Sequence, residues 1–139
     1  MSSTALATTV TESHFDACAT RKQHGSVIHA KRPFGEFVLE SSSVLRSGHD
    51  KVRSVLYFGD LSSLAIRDSV VSENSAKAII TISQLIHTEI SGSTFAQNQN
   101  QVLRAFQLCA GDCTVDRCLF ADNVAETRTD GVVIMIKEV

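Results

Sequence analysis

The 139-residue sequence has little proline, few aromatic residues and no surplus of one charge. It contains one proline, no tryptophan and one tyrosine, and its 13 basic and 15 acidic residues leave a formal charge of -2. Because no basic surplus attracts phosphates over a long range, the composition argues against nucleic acid and anionic membranes as partners. A chain of this length can bury a core without the support of metals or disulfides, which favours a single domain over 1–139.

Long apolar runs are also missing. No uninterrupted apolar run approaches the roughly 18 residues that cross a bilayer. The opening "MSSTALATTV" lacks the basic start and long apolar middle of a secretory signal. We therefore expect no membrane insertion, and the sequence assigns no cellular compartment.

A repeat occupies the second half of the chain. The segments "SVVSEN" at 69–74, "STFAQN" at 93–98 and "CLFADN" at 118–123 share one order: a small residue, an apolar residue two places later, and asparagine three places after that. The asparagines at 74, 98 and 123 follow each other at intervals of 24 and 25 residues. A fixed period of this length is typical of solenoids, in which each repeat stacks on the next.

The aligned repeats predict two structural columns. A ladder of side-chain amides would join the coils, and a core column would lie beneath it. The ladder comprises Asn74, Asn98 and Asn123, and the core column comprises Val71, Phe95 and Phe120. An asparagine amide has both donors and an acceptor, so it can pass hydrogen bonds from coil to coil.

Two weaker copies extend the register upstream. In one, Leu45 takes the apolar place and Gly48 the asparagine place; in the other, these are Phe15 and Cys18. Short β-branched and aromatic runs follow each copy, bounded by Gly, Asn, Asp and Ser, which is typical of strands. We therefore predict an all-β fold, a right-handed parallel β-helix of about five coils. Its clearest repeats span 64–136, and residues 1–9 are a candidate N-terminal cap.

The motifs "VSEN", "FAQN" and "FADN" resemble the FxxN half of the repeats of polymorphic outer membrane proteins. More broadly, the pattern is similar to the parallel β-helix repeats of the pectin-lyase-like superfamily. The first resemblance implies adhesion or surface display. The second implies polysaccharide lyases, hydrolases or epimerases, so a sugar-processing site is an alternative to weigh.

The best catalytic candidates for that alternative are Arg67 and Asp68 in one coil and Asp116 and Arg117 two coils further on. Sugar-processing sites use clustered carboxylates, sometimes with calcium. In the predicted register, however, two coil rises separate the two groups by about 10 Å, which is long for an ion pair. The sequence favours a solvated outer face with scattered charge.

The cysteines and histidines predict no metal site and no cofactor. The five histidines share no spacing, and the four cysteines lack the paired CxxC knuckles of structural zinc. Cys18 and Cys118 should lie about 19 Å apart in the stack, too far for a disulfide. A small loop disulfide between Cys109 and Cys113 is one interpretation of these cysteines, and reduced thiols are the other.

The sequence therefore favours a non-catalytic structural or interaction module, part of a larger assembly or a surface protein. The final coil runs through "DGVVIMIKEV" with nothing long enough after it to fold over the end. We expect this C-terminal coil to be covered by another protein subunit or by self-association. A carbohydrate-binding or polysaccharide-processing domain is the alternative function, with carbohydrate as the alternative partner.

Overall fold

The computed structural model of the chain describes residues 7–19, 27–49, 51–83, 87–106, 113–124 and 134–137. These residues form thirteen strands and no helix. The strands are β1 (Ala7–Thr11), β2 (His14–Asp16), β3 (Ile28–Glu40), β4 (Ser43–Leu45), β5 (Ser54–Arg67), β6 (Val70–Ser72), β7 (Ser75–Ser83), β8 (His87–Ser91), β9 (Thr94–Ala96), β10 (Gln99–Phe106), β11 (Cys113–Asp116), β12 (Leu119–Ala121) and β13 (Ile134–Lys137).

The strands stack as a parallel β-solenoid with three faces. The first face contains β1, the ends of β3 and β5, β8 and β11. The second face contains β2, β4, β6, β9 and β12. The third face contains the beginnings of β3 and β5, followed by β7, β10 and β13. All of these pairs are parallel, so the predicted fold class is confirmed.

The number of fully formed turns is slightly lower than the predicted five. The solenoid has about three turns, which correspond to the coils that have a neighbour on both sides. The buried apolar core begins at Phe37 and ends at Phe95, whereas Phe15 and Phe120 in the outer coils are half-buried. Each outer coil has only one neighbour in the described residues, so its interior is only partly enclosed.

Left-handed backbone marks the corners of the solenoid. One such residue stands between the first and second faces in every coil, and another stands between the second and third faces. The first set is Glu12, Ser41, Asp68, Gly92 and Arg117, and the second is Ala17, Arg46, Glu73, Gln97 and Asp122. This conformation costs a non-glycine residue about 1–2 kcal/mol. At most of these corners the backbone N–H donates to a carbonyl of the next coil, which offsets part of that cost.

The register of the second coil corrects one prediction. Val44, not Leu45, pairs with Val71 and is buried, and Ser47, not Gly48, takes the asparagine place. A shift of one residue would turn every side chain of β4 to the opposite face. Both apolar residues satisfy the pattern in sequence, so only the pairing of whole strands distinguishes them. The predicted position of Phe15 matches the structure, since it pairs with Val44.

The start of the chain contributes a strand to the first face. Residues 7–9, included in the candidate cap, belong to β1, which pairs with β3 in register. Residues 1–6 lie outside the described part of the chain.

Candidate functional site

The three asparagines form one column of amides along the solenoid. Each side-chain nitrogen donates to a carbonyl of the preceding coil: Asn74 to Val44 and Asn98 to Val71, both at 2.9 Å. Each side-chain oxygen accepts from the backbone N–H at the same place in the preceding coil: from Ser47 at 2.9 Å for Asn74, and from the preceding asparagine at 3.0 Å for Asn98 and for Asn123. Asn74 and Asn98 are buried, and Asn123 is half-buried. The column therefore has a direction, with backbone N–H groups pointing toward the C-terminal coil.

A column of serines at the other corner repeats this direction. The backbone N–H of Ser13 donates to the hydroxyl of Ser42 at 3.1 Å, and Ser42 and Ser69 donate to the next hydroxyl at 3.2 Å each. The hydroxyl of each serine donates to the carbonyl two residues before it. In the last coil the place belongs to Cys118, whose thiol donates to the carbonyl of Asp116 at 3.3 Å.

These columns end at a surface that we call the C-terminal edge: β11, β12 and the corner residues 117–118 and 122–123. In the inner coils, corner N–H groups donate to the following coil. Within the described residues, no acceptor pairs with the corresponding N–H groups at the C-terminal edge. An apolar side chain is uncovered there too: Val115 is 37% exposed, whereas its counterpart Ile90 is 1% exposed.

The four candidate catalytic residues are not brought together. Arg67 binds Glu89 through two hydrogen bonds of 2.9 and 3.3 Å, and Arg117 pairs with its neighbour Asp116 at 2.9 Å. Ser91 separates Arg67 from Asp116 in the register, as the sequence predicts. Asp68 is a corner residue at which the chain leaves the first face. The arrangement is two separate ion pairs, without a pair of facing carboxylates.

Arginine side chains on the outside of the solenoid keep two carboxylates ionised. The hydrogen bonds from Arg67 lower the pKa of Glu89, and in the same way Arg46 lowers the pKa of Asp16. A carboxyl group that acts as a general acid needs the opposite, a raised pKa. Neither of these carboxylates therefore has the character of a proton donor at neutral pH. Sequence reasoning missed Glu89, although its place between two inward residues, Thr88 and Ile90, predicts an outward side chain.

The lowered pKa of Glu89 predicts a small acid sensitivity. Its pKa is lower in the folded than in the unfolded chain, so the stabilisation is complete above the unfolded pKa of about 4.3 and disappears as pH falls through the folded pKa. Because both side chains are partly exposed, Glu89→Gln should lower the melting temperature by only about 3 °C or less at pH 7. At pH 3 the difference should shrink. Circular dichroism melting of both proteins at both pH values measures this.

The exposed Glu36 offers a matched control for that measurement. Glu36→Gln removes the same charge from the same face of the solenoid. A Glu89→Gln deficit that is the same at pH 3 as at pH 7, or that Glu36→Gln reproduces in full, would contradict the assignment.

The cysteines of the described residues follow the corner pattern. Cys18 occupies the asparagine place of the first coil and donates to the carbonyl of Asp16, and Cys18 and Cys118 are unpaired thiols. Cys109 lies outside the described residues, so the predicted Cys109–Cys113 disulfide does too. The described residues contain no cluster of three or more metal-binding side chains, and they contain no helix of the length and hydropathy that crossing a membrane requires.

A cavity of about 270 Å³ lies near the first coil, between β1 and β3. Its walls include Thr8, Ile28, His29, Lys31, Glu36 and Phe37. The two basic residues that line the cavity contact the next coil: the His29 ring lies 4.8 Å from the Tyr57 ring, and Lys31 pairs with Asp60 at 3.5 Å. No sequence motif predicts this cavity. The residues that line it come from two coils, and the pairing of β3 with β5 shifts register between them.

Comparison with protein-family models, with curated proteins and with solved structures finds no match. The fold is established by the strand pairing, and no family match supports a place among pectin-lyase-like proteins or polymorphic outer membrane proteins.

Proposed function

We propose that the chain is a non-catalytic interaction module that joins a larger assembly through its C-terminal edge. The observation that carries this proposal is the contrast between equivalent coils. Val115 is exposed at the edge, whereas Ile90 and Ile66 are buried at the same place in the inner coils, and the corner N–H groups of the edge lack acceptors among the described residues. A strand edge with donors and apolar side chains binds another strand readily.

The charges of the outer face support a binding role over a catalytic one. Arg67 pairs with Glu89 and Arg117 pairs with Asp116, and the pKa values of Asp16 and Glu89 are lowered. Sugar sites also favour aromatic platforms, and the chain has no tryptophan and one tyrosine. The resemblance of the FxxN motifs to surface-displayed β-helix repeats agrees with a module that presents an interaction surface.

We expect no cleavage or epimerisation when the protein is incubated with a panel of uronate polymers, with or without calcium. The reason is that the described outer face offers ion pairs in place of a general acid and a facing base. Ultraviolet absorbance and reducing-end assays measure turnover. Reproducible turnover that disappears in Asp116→Ala would favour the carbohydrate-processing alternative instead.

Hydrogen exchange tests the binding surface itself. In dilute protein the corner amides within residues 117–123 should exchange far faster than the corner amides within residues 92–98, which occupy the same places one coil earlier. Strong protection of both segments in a dilute monomer would mean that the edge is already covered, and the proposed role of the edge would be wrong.

A further inference from the structure

We propose that the partner of the C-terminal edge is the first coil of a second copy of this chain, stacked in the register that joins the coils within one copy. This inference rests on the proposed function and names the occupant of the same surface.

The hydrogen-bonding groups of the two ends are complementary. The C-terminal edge presents backbone N–H donors at its corners, and the first coil presents the hydroxyl of Ser13 as an acceptor at the serine corner, whereas Cys18 stands at the asparagine corner. The hydroxyl of Ser13 donates to the carbonyl of Thr11 at 3.0 Å, which is the orientation in which Ser42 and Ser69 accept a backbone N–H. A second copy's Ser13 is therefore oriented to accept from the N–H of Cys118.

The apolar groups of the two ends also match. Phe95 and Phe120 stack with ring centroids 5.1 Å apart and planes 13° apart, and Phe120 is half-buried. Phe15 occupies the same column in the first coil and is half-buried as well. Stacking two copies places Phe15 against Phe120, and Val10 against Val115, so that apolar surface from both ends leaves water.

The charges of the first and second faces favour this register. Arg117 and Glu12 occupy the same left-handed corner, at the two ends of the solenoid. Stacking brings the guanidinium over the carboxylate, and both side chains lie on the outer surface, where Arg117 is 78% exposed. On the first and second faces the paired positions bring no like charges together: Asp116 meets Thr11, Leu119 meets His14, Ala121 meets Asp16 and Asp122 meets Ala17. On the third face Lys137 takes the register place next to Lys31, whose charge is paired with Asp60. Such a contact is head-to-tail, so it extends into filaments or closes into a ring.

Sedimentation velocity of the full chain over a wide concentration range tests the proposal. The wild-type protein should form species larger than a dimer as concentration rises. Arg117→Glu and Glu12→Arg should each weaken association about tenfold, because each replaces an opposite-charge contact with a like-charge contact. Lys77→Glu and Glu73→Arg change the charge by the same amounts at exposed sites of the middle coils and should leave association unchanged.

A mixture of the two single variants gives the decisive readout. Each variant repels its own copies, but the glutamate introduced at 117 faces the arginine introduced at 12, and the native Arg117 faces the native Glu12. The mixture should therefore associate as strongly as the wild type, by alternating the two proteins. Circular dichroism of every variant shows that it is folded.

Three results overturn the proposal. The first is association that neither charge reversal weakens. The second is a mixture no stronger than the separate variants. The third is a wild-type chain that stays monomeric up to millimolar concentration. In that last case, fast exchange of residues 117–123 leaves the proposed function standing with a different partner, whereas strong protection there contradicts both.

Discussion

Asn98→Ala is expected to reduce the free energy of unfolding by on the order of 3 kcal/mol, a loss of about 10 °C in melting temperature. The amide of Asn98 accepts from the backbone N–H of Asn74 at 3.0 Å and donates to the carbonyl of Val71 at 2.9 Å. Alanine leaves both backbone groups buried without these partners, and each such group costs about 1–3 kcal/mol. Thermal melting and urea unfolding measure the loss.

Two substitutions control for this experiment. Gln97→Ala changes the exposed neighbour at the left-handed corner, where Ala17 already stands in the first coil, so it should be nearly neutral. Asn98→Ser should fall between the two, because Ser47 occupies the ladder place in the second coil and its hydroxyl bonds there. If Asn98→Ala and Gln97→Ala reduce the free energy of unfolding equally, the asparagine ladder contributes no more to stability than a surface side chain does.

Much of the fold could be predicted because stacking turns a sequence period into a physical contact. Residues that recur at the same place in successive coils lie against each other at roughly 4.8 Å, so like side chains are selected together. Val71, Phe95 and Phe120 pair in the predicted register. The predicted register was wrong at Leu45 because two apolar residues in succession fit the motif, and only the pairing with neighbouring strands determines which one faces inward.

The outer face could not be predicted in the same way. A long charged side chain can reach several neighbours on the surface, and the sequence period does not indicate which of them it contacts. Arg67 binds Glu89, two places away from the register partner Ser91, and Arg46 pairs with Asp16 of the preceding coil. The direction of the asparagine and serine columns was not predicted either, because it depends on which group at each corner donates the hydrogen bond. That direction distinguishes a donor end of the solenoid from an acceptor end.

Phe95→Ala is expected to have the largest effect of any substitution considered, a loss of about 4 kcal/mol in the free energy of unfolding. Phe95 is 1% exposed and lies between Val71 and Phe120 in the core column. Removing the ring leaves a cavity that strands on three faces cannot readily close, because hydrogen bonds on both sides hold the coil spacing. Urea unfolding measures this loss.

Phe120→Ala is the matched control, since it removes the same ring from the same column one coil later. Phe120 is half-buried, so in dilute protein the loss should be about half as large or less. If a second copy covers this coil, the cost of Phe120→Ala should rise with protein concentration, while the cost of Phe95→Ala should be less dependent on it. Equal costs for the two substitutions in dilute protein would contradict the exposed C-terminal coil, and with it the interaction surface proposed for this chain.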